Sequence, residues 1–192
     1  MANAPSTDDL RAALTFSRFD PIVGEPSYET LFKLETQATR NDAAVVIRLH
    51  PPHTNLSGIV EHPAVYILRV GPPFPWPPCP GNAAHFLVGT TLVQCQNIQA
   101  AYDANIKILL TCQTTENILK SLLENAIEHS YLAGNHSAIL GFGVISLQDI
   151  FLHLYKSYGL ITPEALQVNT TRLTTLIASH LPIALLLRQI EE

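Results

Sequence analysis

The stretch SLQDIFLHLYKSYGLITP, residues 146–163, decides the fold. Leu147, Ile150, Phe151, Leu154 and Tyr158 recur at steps of three and four, so they share one face of an α-helix. Ser146 precedes them as an N-cap, and Asp149 three residues later completes a capping-box pattern. Gly159 stands where a helix ends in a left-handed residue, so a φ above zero is expected there. Thr162 caps the next helix and Pro163 takes its first position, where a missing N–H costs nothing. Tyr158 and Ile161 are expected to bury on either side and fix the angle between the two helices. The core face is thus Leu147, Ile150, Phe151 and Leu154; the structural turn is Tyr158, Gly159, Ile161, Thr162 and Pro163.

Towards the C-terminus, Leu166, Asn169, Leu173 and Leu176 line one side of a further helix. Pro182 opens a last one, with Leu185, Leu186 and Ile190 inward. It stops at Glu192 without a C-cap glycine, which reads as a helix cut short in a fragment or truncated reading frame. Upstream, Leu119, Leu122, Leu123, Ala126 and Ile127 form a stripe that ends near Ala133 and Gly134. Thr114 or Thr115 is expected to cap that helix, with TCQTT (111–115) as a break before it. A long helix from about Ala84 to Leu110 precedes the break. Val88, Leu92, Cys95, Ile98, Tyr102, Ile106 and Leu109 give it a near-heptad stripe.

The N-terminal part is less regular. Residues 7–18 predict a short helix capped by Ser6 and ended by Asp20-Pro21. Tyr28, Leu31, Leu34 and Ala38 form a helical stripe. AAVVIRL (43–49) is short, apolar and β-branched like a strand, yet Ala38, Val45 and Leu49 also keep helical register. GPPFPWPPCPG (71–81) holds six of the chain's 14 prolines and predicts polyproline II. It would serve as a ligand for an aromatic-lined groove or as a stiff connector, and the connector is the preferred reading. Trp76 is expected to pack this strap onto the body. The organisation expected is all-α, a multi-helix bundle. Residues 1–70 form a helical segment and loop, 71–82 the strap, and 83–192 a helical core packed with the first segment. No internal repeat is present.

Composition bounds the function. Of the 192 residues, 47% are hydrophobic and only 14% charged, which favours an obligate oligomer or a well-buried monomer. The net charge is −5, and the 11 Lys and Arg residues nowhere cluster, so direct RNA binding is expected to be weak and salt-dependent. Cys79, Cys95 and Cys112 form no C-x-x-C pair and suggest reduced thiols in an intracellular, cytoplasmic setting. The opening MANAPSTDDL lacks the parts of a secretory signal, and no apolar run has a membrane-spanning length, so no membrane partner is expected.

No residue is singled out as catalytic, cofactor-binding or metal-binding. His50-x-x-His53 with His62 and Cys79 lacks the paired spacings of a zinc site, and Pro51 and Pro52 place these histidines in a loop. His129, His136 and His153 read as hydrogen-bonded structural histidines. Cys95 lies on a predicted apolar face and Cys112 at the predicted end of its helix, without an electropositive neighbourhood. The motifs G-x-S-x-G, G-x-G-x-x-G, H-E-x-x-H, D-[ST]-G and the P-loop are absent. Carboxylates fall mainly on predicted solvent faces. An enzyme is therefore not expected.

One family resemblance adds to this. Tyr131-Leu132, Gly141-Phe142, Leu152-His153-Leu154, Tyr158-Gly159, Ile161-Thr162-Pro163, Leu166, Asn169, Pro182-Ile183 and Gln189-Ile190-Glu191 stand in order. Together they resemble the Gag-like capsid region of copia-type LTR retrotransposons, the Pseudoviridae. Ile22, Gly24, Pro26, Leu31 and Leu34 resemble the family's entry segment. Where members carry a glycine-rich loop, this chain has HPPHTNLSGIV, with only Leu56 and Gly58 corresponding, so no role carries over to that loop. The resemblance favours helix for residues 43–49. It implies a capsid-like helical protein that binds copies of itself, a homo-oligomer building virus-like particles. The element's RNA would be a partner only indirectly, through a basic or zinc-knuckle region absent here.

Overall fold

The computed structural model describes residues 14–47, 49, 53, 55–81, 83–135, 141–160, 166, 167, 170 and 171. The fold is all-α. Among the described residues five continuous helices run in the order α1 (Tyr28–Ala43), α2 (Pro63–Val70), α3 (Leu92–Ala126), α4 (His129–Leu132) and α5 (Leu147–Tyr158). Short 3-10 turns cover Ser57–Ile59 and Ala133–Asn135. Among the described residues there is no strand, only an isolated antiparallel bridge between Val46 and Asn55.

Capping starts α1 and α5. Ser27 accepts from the Thr30 N–H while the Thr30 side chain accepts from the Ser27 N–H, closing a capping box. Ser146 accepts from the Asp149 N–H at 3.1 Å. Leu31, Leu34 and Ala38 of α1 are buried against Leu147, Ile150, Phe151 and Leu154 of α5 and Leu119, Leu123 and Ala126 of α3. Tyr28, on the same predicted stripe, is exposed and stacks on Phe32.

Two amides of α1, one turn apart, hold the segment before it. Gln37 pairs with Asp20 through its N–H and carboxylate, at 3.0 and 2.8 Å. Asn41 pairs with the Ser17 N–H and carbonyl at 3.0 and 2.8 Å. Residues 14–20 are therefore bound as an irregular strap, and the described part of the helix predicted over 7–18 is not helical. Phe19 enters the main core, and the Ile22 N–H donates to the Ala126 carbonyl.

The break predicted at TCQTT does not exist. One helix, α3, runs without interruption for 35 residues, about 50 Å at 1.5 Å per residue. Thr91 caps it through a box with Gln94, so it begins at Leu92 rather than near Ala84. Gly89 at φ 90° sits in the turn that precedes this cap. Thr114 and Thr115 cap nothing; both are buried in mid-helix, beside buried Cys112. The helix ends at Ala126, and Ala133 and Gly134 belong to the later 3-10 turn.

The described residues 44–47 and 49 extend neither as helix nor as strand: α1 stops at Ala43 and Val46 makes only its one bridge. Val45 enters a second small core with Leu56, Ile59 and Cys112. The helix α2 follows, with His62 as cap, Pro63 at its first turn and Gly71 at φ 102° after it. Gln148 of α5 donates to the carbonyls of both Gly58 and Glu61 and ties the turn between α1 and α2 to the main core.

Phe74, rather than Trp76, anchors the proline-rich strap. Its ring meets Tyr66 at 5.8 Å and His53 at 6.4 Å, edge to face. Trp76 is 45% exposed and leans on Phe74 at 5.7 Å. Farther on, the Tyr102 hydroxyl donates to the Gly81 carbonyl at 2.8 Å, so the strap returns along α3.

Candidate functional site

Only the second half of α3 is packed into the body. Its buried residues are Cys112, Thr114, Thr115, Leu119, Lys120, Leu123 and Ala126. The predicted stripe over the first half is at best half-buried: Cys95, Tyr102, Ile106 and Leu109 are intermediate, while Val88, Leu92 and Ile98 are exposed. Phe86, Leu87, Val88, Leu92 and Val93 together form an apolar tip, with Leu87 83% and Leu92 75% exposed. The tip has a defined shape. The Thr90 N–H donates to the Leu87 carbonyl at 3.1 Å, closing a turn just before the Thr91 cap. From Val70 to Tyr102 the chain has no Asp, Glu, Lys or Arg. This tip therefore lacks the charges that usually keep exposed apolar surface apart.

A second feature is a groove of about 750 Å³ between α1, α2 and α5. Tyr28, Phe32, Val65, Leu152 and Tyr155 give it apolar walls, and Glu35, Arg40 and Gln148 give it polar ones. The Tyr155 hydroxyl donates to Glu35 at 2.6 Å. Burial, reinforced by this bond and by the carboxylate charge, holds the Tyr155 hydroxyl well above its ordinary pKa, so it remains a donor.

Gly159 lies at the groove's edge and closes α5, but its φ is −84°, not positive. Its N–H donates to the Tyr155 carbonyl at 2.9 Å, so the chain leaves the helix through an ordinary right-handed turn that needs no left-handed residue. What requires glycine is space. A Cβ there would lie 2.7 Å from the Tyr155 carbonyl oxygen and 2.9 Å from its Cδ1. Gly159→Val is therefore expected to cost about 1–3 kcal/mol by overpacking, read from urea denaturation, with helical content by circular dichroism retained. Tyr158 is half-buried and meets Tyr131 edge to face at 5.2 Å. Ile161, Thr162 and Pro163 lie outside the described residues; of the helix predicted after them, residues 166, 167, 170 and 171 are helical with Leu166 exposed, and the helix predicted from Pro182 lies outside the described residues.

The junction between α1, α2 and α3 holds a polar cluster that sequence reasoning missed. His53 is buried, and its Nδ1 lies 2.7 Å from the Tyr66 hydroxyl. Arg69 donates to Glu61 at 2.8 and 3.2 Å and to Ser57 at 2.6 Å. Asp42 is fully buried, and neither carboxyl oxygen has a hydrogen-bond partner. Burial, then the Glu61 charge, push its pKa from 3.8 to about 8. The nearby Val60 N–H and Arg69 oppose this, but Val60 donates to Ser57 and Arg69 is engaged by Glu61. Burial, then Asp42, push the Cys112 thiol up to about 12. Carboxylates were expected on solvent faces; Asp42 and Glu116 are not there, because side chains distant in sequence enclose them.

His53 thus spends a ring nitrogen on Tyr66, while His62 is exposed and caps α2. His153 packs against Gly134, whose Cβ would come within 2.8 Å of its ring. Among the described residues no three His, Cys, Asp or Glu side chains are grouped to hold a metal. Cys79 is exposed, Cys95 half-buried and Cys112 buried. No described helix is long and apolar enough to cross a membrane. Comparison with protein-family models, curated proteins and solved structures finds no match to this chain.

Proposed function

We propose that this chain is a Gag-like capsid subunit of a copia-type retrotransposon, and that its activity is self-association into virus-like particles in the cytoplasm. The observation that supports this most is the uncharged apolar tip of α3, carried on a long helix whose first half is nowhere more than half-buried. Two copies meeting there bring together apolar area without like charges. Repeated symmetric contacts of this kind close into rings or shells. No catalytic role is assigned, and RNA would be carried by a separate basic region.

The test is static light scattering over a concentration series, with electron microscopy of the concentrated protein. Mass is expected to rise above the 21.1 kDa monomer with concentration. The double variant Leu87→Glu/Leu92→Glu is expected to remain monomeric with an unchanged melting temperature. Both side chains are exposed, and a glutamate at the first position of α3 suits the helix dipole. A parent that stays monomeric, or a double variant that assembles like the parent, defeats the reading.

A protein-interaction module is the second reading, favoured by the groove between α1, α2 and α5. Its apolar walls and few polar groups suit an apolar peptide segment. A persistently monomeric parent that binds such a peptide, with binding lost in Leu152→Glu, would favour it.

A further inference from the structure

Asp42 stands in the last turn of α1, where the helix dipole already disfavours a negative charge. Neither of its carboxyl oxygens is exposed or hydrogen-bonded. The groups facing it come from every element around it. Glu61 follows the 57–59 turn, and Tyr66 and Arg69 come from α2. Cys112 comes from α3, with the Glu116–Lys120 pair beyond it. Arg69, the cation that acts on Asp42, is already paired with Glu61. A carboxylate here has neither water nor a free counter-ion, whereas a neutral carboxyl has only a modest cost.

We propose that Asp42 is a proton-operated latch: uncharged, it lets the end of α1 pack dry against the 56–61 turn and α3; charged, it reaches water only by parting them. The elements that would part are small. The turn is held by Ile59 N–H to Leu56 carbonyl, Glu61 N–H to Ser57 carbonyl and the two Gln148 bonds. Of this turn only Val60 enters the main core, whose other members come from α1, α3, α4, α5 and the segments beside them. The latch operates whether or not the chain self-associates.

The sign follows from linkage. The closed form keeps its proton to about pH 8, and the open form loses it near the ordinary value of 3.8. The contribution to closure is whole below about pH 4 and is lost as pH rises through 8. One proton makes opening about tenfold more frequent per pH unit inside that window.

Cys112 reports the opening, because its thiol is buried beside Asp42 while Cys79 is exposed in the same molecule. N-ethylmaleimide labelling followed by mass spectrometry gives the ratio of the two rates, which removes the reagent's own pH dependence. Between pH 5.5 and 7.5 this ratio is expected to rise about a hundredfold. In Asp42→Asn, which leaves His53 and the other ionisable side chains in place, it is expected to stay within threefold. Amide exchange at Ile59 and Glu61 is expected to quicken in parallel, relative to Ile150 and Leu154 on α5. A parent ratio that stays flat overturns the latch whether or not the variant folds. So does the same rise in Asp42→Asn, or an equal loss of protection on α5, which marks global unfolding.

Discussion

Lys120→Met is expected to lower the unfolding free energy by about 3–5 kcal/mol, read from urea denaturation at neutral pH. Lys120 pairs with Glu116 one turn earlier on α3, at 3.1 Å, and their side chains are only 8% and 15% exposed. The same Glu116 oxygen accepts the Leu147 N–H at 3.2 Å. It thereby satisfies one of the orphan donors that open α5 and sets its negative charge at the positive end of that helix. Removing the ammonium leaves a shielded carboxylate with an amide as its remaining partner. The double variant Lys120→Met/Glu116→Leu is expected to recover most of the loss, since no buried charge remains. A residual cost of about 1 kcal/mol is expected for the lost cap. A single variant within 1 kcal/mol of the parent would show that water reaches the pair.

Gly58→Val is expected to cost about 3 kcal/mol and to release the proline-rich strap from the body. A Cβ on Gly58 would lie 2.5–2.6 Å from Cβ, Cγ and Cδ2 of Phe74. The Gly58 carbonyl is held by Gln148, so the backbone is not free to withdraw, and Phe74 has to give way. Its ring would leave the edge contacts with Tyr66, His53 and Trp76. Trp76 is the only tryptophan, so its fluorescence reports the strap directly. In a Phe74→Gly background the Gly58 substitution is expected to cost less than about 1 kcal/mol, because Cβ, Cγ and Cδ2, the atoms it strikes, are all gone. Equal costs in both backgrounds would locate the strain elsewhere.

These two sites also mark where reading the sequence fails. Ser146, Asp149 and the step of three and four over Leu147–Leu154 are local signals, and they specify α5 with its buried face. The spacing of Leu31, Leu34 and Ala38 does the same for the buried face of α1, whose Ser27 cap the structure adds. The short α2 carries its own signals in His62, Pro63 and Gly71, but eight residues give too little periodicity to separate it from a loop. At TCQTT the local signal misleads. Threonines compete for backbone bonds and favour caps. Here Cys112, Thr115 and Leu119 lie 0% exposed, and burial continues the helix through a sequence that would break it in isolation.

By itself, then, the sequence determined the helical class, the buried stripes of α1 and α5, and the start of α5 set by Ser146. Each rests on residues within one or two turns of one another. Only the tertiary structure decided that α3 is one helix with a bare apolar tip, that Asp42 is enclosed without a partner, and that Glu116 caps a helix 31 residues away. Even the requirement at Gly159 changed from backbone sign to side-chain space. Periodicity records which face of a helix is apolar, whereas burial and pairing depend on which distant element covers that face.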